Sequence, residues 1–117
     1  MAFKTKLVVR EPNGKPGNWI LERDLIYQGK TDIIVVPKGF VTDFASVPKI
    51  FWNILPPFGK YTKAAVIHDY LYFTKMFSRE DSDGIFLRIM EELEVSWVKR
   101  KTIYRAVRMF GWTVWDK

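Results

Sequence analysis

The chain has no cysteine and a single histidine among its 117 residues. Without thiols it cannot form disulfides or bind a metal through thiolates, and this composition is compatible with a reducing compartment. No apolar run approaches the roughly 20 residues that a membrane-spanning helix needs, and residues 1–10 lack the apolar core of a signal peptide. We therefore expect a protein that is made and folded in the cytoplasm.

Apolar and aromatic side chains, by contrast, are abundant. Hydrophobic residues make up 48% of the sequence and aromatic residues 16%, which is typical of a well-packed globular protein rather than a disordered one. A chain of this length can bury a core without disulfides, and no repeat or linker divides it. We expect a single domain over residues 1–117.

The order of the predicted elements indicates the α+β class, with strands first and helices afterwards. Short β-branched runs separated by turn signals predict a small antiparallel sheet of three or four strands. An antiparallel helical hairpin and a third, C-terminal helix should follow, with Ser78 and Ser96 as N-caps and Gly111 as the final stop. The expected strands are Lys6–Arg10, Trp19–Tyr27 (or a short helix there), Asp32–Val36 and Phe40–Thr42, and the expected helices are Pro48–Leu55, Tyr61–Phe73, a helix after Ser78, and Trp97–Phe110.

The histidine, His68, lies within the predicted helix Tyr61–Phe73, on a face that is otherwise apolar. Polar groups in such surroundings are costly unless they are hydrogen-bonded, so His68 should have a partner. The turn between this helix and the next is expected near Met76, eight residues after His68 and seven before Asp83. Residues equidistant from the turn of a helical hairpin lie level with one another, which makes Asp83 the predicted partner.

The predicted pair of His68 and Asp83 has two interpretations. A carboxylate that orients an imidazole leaves its other nitrogen free to activate water, which is half of a catalytic dyad. Alternatively, the pair is a buried hydrogen bond that locks two helices together. Asp69 projects about 100° away around the helix and either binds a hard cation, calcium for example, with the loop at Gly59, or pairs with a lysine or arginine.

Three further residues are weaker site candidates. Asp43 and Ser46 are typical helix caps, and Ser46 lacks the surroundings of a nucleophile elbow. Tyr72 lies one helical turn after His68, and the imidazole either faces an open cleft or is sealed by Trp52 and Tyr72.

A basic segment of the last long helix is the main charged feature of the chain. Residues 99–108 hold five basic side chains and no acid, within a net charge of +6. The segment is either a solvated helix face or a patch that binds nucleic acid, anionic lipid or an acidic protein. Its members are Lys99, Arg100, Lys101, Arg105 and Arg108. The tail Trp112–Trp115 is too apolar to stay in solvent and should dock on the core or on a partner.

Residues 39–110 contain four ordered motifs: TDFASVP, PP-x-G-x-Y, AA-x-x-HD-x-LY and D-x-x-F-x-x-x-M. Together they resemble a family of small phage and prophage proteins known as domain of unknown function 1353. The resemblance implies a phage or prophage origin, synthesis in the host cytoplasm, and either the cytoplasm or the virion as the final location. Other phage proteins are then the expected partners.

A second, local resemblance concerns AAVIHDYLY, which is similar to the active-site helix of phospholipase A2, especially its cysteine-free viral form. The resemblance implies His68 as general base, Asp69 as calcium ligand and Asp83 as the residue that orients His68. The glycine-rich calcium loop of that family is reduced here to Gly59. Two functions follow as hypotheses: a non-catalytic particle or assembly component, and a hydrolase of a lipid or cell-envelope ester or amide.

Overall fold

The structure, a computed structural model, describes residues 2–11, 18–42 and 61–116. The expected helix Pro48–Leu55 and the candidates Asp43, Ser46 and Gly59 lie outside these ranges. The chain forms two compact units, Met1–Asp43 and Phe44–Lys117, and each is described by itself. The expectation of a single domain stays a prediction.

The N-terminal unit consists of two antiparallel three-stranded sheets. The strands are β1 (Ala2–Phe3), β2 (Val9–Arg10), β3 (Trp19–Leu21), β4 (Leu25–Gln28), β5 (Ile33–Val36) and β6 (Val41–Thr42). In one sheet, β4 lies between β1 and β5; in the other, β3 lies between β2 and β6. Side chains alternate along the longer strands, so that Leu25, Tyr27 and Val36 are fully buried while Ile33 is exposed.

The predicted run Trp19–Tyr27 is two strands, β3 and β4, which belong to different sheets. The chain bends between them, and Asp24 stabilises the bend by two long-range hydrogen bonds. Its carboxylate accepts from the backbone N–H of Lys38 at 2.7 Å, and its carbonyl accepts from the Thr5 hydroxyl at 2.8 Å. The α+β class with a small antiparallel N-terminal sheet is confirmed, with six short strands in the described residues.

The helical unit contains α1 (Thr62–Thr74), α2 (Arg79–Glu92), α3 (Trp97–Phe110) and the single turn α4 (Trp112–Trp115). Both predicted N-caps are present, because Ser78 accepts from the N–H of Asp81 and Ser96 from that of Lys99. Lys75 ends α1 in the left-handed conformation, with φ of 54°, and starts the short turn into α2. The hairpin of α1 and α2 and the third helix α3 are therefore confirmed.

The buried face of α3 differs from the expectation. Its apolar spacing predicts Trp97, Ile103, Tyr104, Val107 and Phe110 there, but Trp97 and Phe110 are 63% and 47% exposed, and the buried positions are Ile103, Ala106 and Val107. Gly111 ends α3 as its C-cap, as expected, but not in a left-handed conformation. Its φ of −61° is helical, so the chain continues in helical phase into α4.

Candidate functional site

The α1–α2 hairpin brings His68 and Asp83 together in the interior of the helical unit. The distance between His68 Nε2 and Asp83 Oδ1 is 2.6 Å, and both side chains are fully buried. Because an ionised carboxylate only accepts hydrogen bonds, Nε2 supplies the shared proton. The contact that the spacing around the turn predicts is thus present.

The Asp83 carboxylate is bound from three helices. On Oδ1 it also accepts a hydrogen bond from the Tyr72 hydroxyl of α1 at 2.7 Å, and on Oδ2 one from Arg108 Nη1 of α3 at 2.8 Å. Arg79 Nη1, one turn earlier on α2, lies 3.6 Å from Oδ2. These five side chains are called the Asp83 network below. A buried charge is tolerated when it is paired and hydrogen-bonded in this way.

The network determines the protonation of Asp83. Burial alone would raise the pKa of the Asp83 carboxyl, but hydrogen bonds from His68, Tyr72 and Arg108 outweigh burial and hold the pKa below its ordinary value. Burial and the hydrogen bond to Asp83 both raise the pKa of the Tyr72 phenol. Asp83 is therefore an anion, and Tyr72 is a donor, throughout the neutral range.

This lowered pKa predicts a loss of stability in acid. The pKa of this carboxyl is lower in the folded state than in the unfolded state, where it is about 4. The ionised carboxylate therefore stabilises the fold fully at a pH above the unfolded-state pKa. This stabilisation is lost as the pH falls from about 4 toward the folded-state pKa. We expect the free energy of unfolding, measured by urea titration, to decrease as the pH falls below about 4. Asp83→Asn should flatten this decrease, whereas Asp81→Asn should keep it. An unchanged slope in Asp83→Asn would contradict the assignment.

The imidazole of His68 is enclosed by two aromatic rings. The Phe86 ring stacks on it at 4.4 Å between centroids, and the Tyr72 ring lies at 4.3 Å in a tilted orientation. Its second nitrogen, Nδ1, is buried and has no hydrogen-bond partner in the part of the chain that the structure describes. When the ring carries a single proton, on Nε2 toward Asp83, Nδ1 is an acceptor, as a general base requires.

Arg79 also connects the Asp83 network to the end of α3. Its guanidinium donates to the carbonyl of Val107 at 3.1 Å and to that of Arg108 at 3.2 Å, which satisfies carbonyls in the last turn of the helix. Gly111 lies against the same groups. A Cβ there would collide with the Tyr72 hydroxyl and would come within 3.0 Å of Arg79 Nη1.

Sequence reasoning missed two members of the Asp83 network, Arg79 and Arg108. Arg108 belongs to the predicted basic patch, but the structure directs it toward Asp83. Arg79 follows the N-cap Ser78 and resembles any other charged first-turn residue. Arg79 lies four residues before Asp83, and residues at this spacing lie on one face of a helix. The sequence therefore did offer a signal that Arg79 lies near Asp83.

Of the two expected calcium ligands, Asp69 and Gly59, the structure describes Asp69. Burial, and to a smaller extent the charge of Asp69, raises the pKa of Tyr61 to about 12. Among the described residues no group of three or more His, Asp or Glu side chains could hold a metal ion. Gly59 lies outside the described ranges, and calcium binding stays a prediction.

The remaining members of the basic patch differ in their exposure. Lys99 and Arg105 are exposed and Lys101 is half-buried, whereas Arg100 donates to the carbonyl of Val95 at 3.0 Å. Arg108, as described above, binds Asp83. The patch is therefore smaller than the sequence indicates, because two of its five side chains have structural partners.

The tryptophan-rich tail docks in part. Trp115 packs edge-on against the Tyr72 ring, with 5.1 Å between centroids, and Lys75 Nζ lies 5.3 Å from its ring centre. Trp112, in contrast, is 54% exposed. Among the described residues, no helix is long and apolar enough to span a membrane.

Comparison with known proteins places the chain in a family of unknown function. A protein from Sinorhizobium fredii (strain NBRC 101917 / NGR234), "Uncharacterized protein y4jT", is 42% identical over 86 residues, which cover 70% of this chain but only 26% of that protein. No solved structure matches the chain. The family described as "Protein of unknown function (DUF1353)" matches residues 19–107. This match spans the α1–α2 hairpin with both His68 and Asp83, and the chain belongs to that family.

Proposed function

We propose that the protein is a non-catalytic component of a phage particle or of its assembly, in which the Asp83 network holds the helices together. The resemblance of its ordered motifs to phage and prophage proteins supports the origin. A phage or prophage origin is part of this proposal, and so are other phage proteins as the partners. The family match alone assigns no activity.

The observation that supports a structural role is the complete burial of both His68 and Asp83. A catalytic base has to reach its substrate, whereas a pair that joins helices is best placed where water is excluded. Every described contact of the Asp83 carboxylate is an internal one, to α1, α2 or α3. Such a constellation favours this packing of the three helices, because separating Asp83 from its donors would leave a buried charge unpaired.

A second candidate function, ester or amide hydrolysis, is supported by one atom, Nδ1 of His68. With Nε2 hydrogen-bonded to Asp83, Nδ1 can take a proton from water while the water oxygen attacks a carbonyl carbon. The proton then passes to the leaving alcohol or amine as its bond to carbon breaks, and Asp83 stabilises the imidazolium in between. Because the imidazole has no exposed surface, the side chains that cover it would first have to move.

Two measurements distinguish the candidates. Mass spectrometry of purified particles and assembly intermediates from the encoding phage or prophage is expected to find the chain in one of them. Purified protein should release no product from phospholipid or cell-envelope substrates, with or without calcium. Absence from both kinds of sample would overturn the first proposal. Hydrolysis that His68→Gln abolishes, with an unchanged melting temperature, would establish the second.

A further inference from the structure

The outer side of α3 and α4 exposes large apolar side chains, although these are the residues that usually lie inside. Trp97, Val98, Met109 and Trp112 are 63%, 66%, 65% and 54% exposed. Gly111 keeps helical φ and ψ between α3 and α4, so the side chains of both helices follow one helical rotation. At 100° per residue, eight side chains of residues 97–115 share an arc of about 120°. Two of them turn back to the Asp83 network, since Arg108 binds Asp83 and Trp115 packs against Tyr72. The other six form the outer α3 face, which comprises Trp97, Val98, Lys101, Arg105, Met109 and Trp112.

Two basic side chains lie between the apolar ones of the outer α3 face. Lys101 and Arg105 lie between Val98 at one end and Met109 at the other, and Arg105 is exposed. Residues 95–115 contain no acidic side chain. A surface that combines clustered exposed apolar groups with charge of one sign is typical of an interaction site rather than of an ordinary solvated helix.

The charge determines what can bind there. A second copy of the same face, related by a two-fold axis, would bring the same positive charges together, which disfavours a homodimer at this surface. Trp97 and Trp112 could stack on the bases of a single strand, but the exposed aliphatic side chains of Val98 and Met109 would remain in water there. An anionic membrane surface satisfies both groups of side chains, since it offers phosphates next to an apolar layer.

We propose that the outer α3 face binds the surface of anionic membranes. The ring of Trp112 and the side chains of Val98 and Met109 enter the boundary between headgroups and acyl chains, while Lys101 and Arg105 contact lipid phosphates. The 14-residue helix α3 then lies in the plane of the surface. This inference concerns a partner and is independent of whether His68 is catalytic.

Co-sedimentation with vesicles tests the proposal. The full chain is expected to sediment with vesicles of phosphatidylcholine and phosphatidylglycerol (3:1) at low salt, and much less with phosphatidylcholine alone or in 0.5 M salt. Each basic side chain at an anionic surface is worth roughly fivefold in binding, so Lys101→Gln/Arg105→Gln should weaken it by about tenfold or more. Lys4→Gln/Lys6→Gln changes two exposed lysines of the other unit and is the matched control.

The apolar half of the face requires its own variants. Val98→Ser should weaken vesicle binding several-fold, because the inserted apolar area is lost. Ile33→Ser removes a β-branched side chain of similar exposure, 62%, from β5 and should leave binding unchanged. Equal effects of the two variants, no binding to anionic vesicles, or tighter binding to single-stranded DNA than to vesicles would each overturn the proposal.

Discussion

Asp83→Asn is expected to lower the free energy of unfolding by about 3–5 kcal/mol, the usual cost of removing one member of a buried charge pair. The amide keeps the size of the carboxylate but offers one acceptor oxygen and one donor nitrogen. His68 and Tyr72 donate to one carboxylate oxygen and Arg108 donates to the other. Whichever way the amide is oriented, its NH2 group faces a side chain that donates a hydrogen bond to Asp83 in the wild type. In addition, the charge of Arg108 loses its counterion.

Asp81→Asn provides the matched control for this substitution. Asp81 is in the first turn of the same helix but is exposed, and its backbone N–H rather than its carboxylate binds the cap Ser78. We expect a change of about 0.5 kcal/mol or less, as for most surface substitutions. Urea unfolding followed by circular dichroism measures both variants. A loss of less than 1 kcal/mol in Asp83→Asn would show that the network is not what holds the helices together.

The tautomer of His68 gives an independent check, because the chain has one histidine. In the wild type, nitrogen NMR of the imidazole should show the proton on Nε2, held there by Asp83. In a folded Asp83→Asn variant this preference should weaken, since the amide can either donate or accept. The same tautomer in both proteins would mean that Asp83 does not orient the ring.

Local signals were sufficient for most of the helical unit. The serines at 78 and 96 and the apolar spacing predict α2 and α3, and the turn near Met76 places His68 level with Asp83, because all of these depend on residues close in sequence. The bend between β3 and β4 could not be predicted in the same way. It depends on contacts from Asp24 to Thr5 and Lys38, which are 19 and 14 residues away, and no glycine or proline marks it.

The third helix shows why the rest of the site was not predictable. Its five basic residues are chemically alike, and only the packing of α3 beside α2 determines that Arg108 reaches Asp83 while Arg105 remains exposed. Gly111 follows the last apolar position of the helix, which is the usual place for a left-handed cap. The structure gives it another role, since a side chain at this position would meet Tyr72.

Gly111→Ala should therefore destabilise the protein by about 1–3 kcal/mol, the usual cost of adding a methyl group where there is no space. The new Cβ meets the Tyr72 hydroxyl and the carbonyl oxygen of Val107. Neither can easily move away, because the Tyr72 ring is hydrogen-bonded to Asp83 and packed against Trp115, and the carbonyl is part of α3. Gly84→Ala is the opposite case. Gly84 lies within α2 with nothing within 4 Å of an added Cβ, so alanine should stabilise by about 0.5–1 kcal/mol through its helix propensity.

A double-mutant cycle identifies the clash as the cause. Tyr72→Phe alone should cost about 1.5–3 kcal/mol, because it removes a hydrogen bond to a charged group. Combined with Gly111→Ala, it also removes one of the two oxygens that the methyl group meets, so the double variant should lose less stability than the sum of the two single losses. The expected coupling is about 1 kcal/mol, at the scale of residues in direct contact. Additive losses, measured by urea unfolding, would place the cost of Gly111→Ala elsewhere than at the Tyr72 hydroxyl.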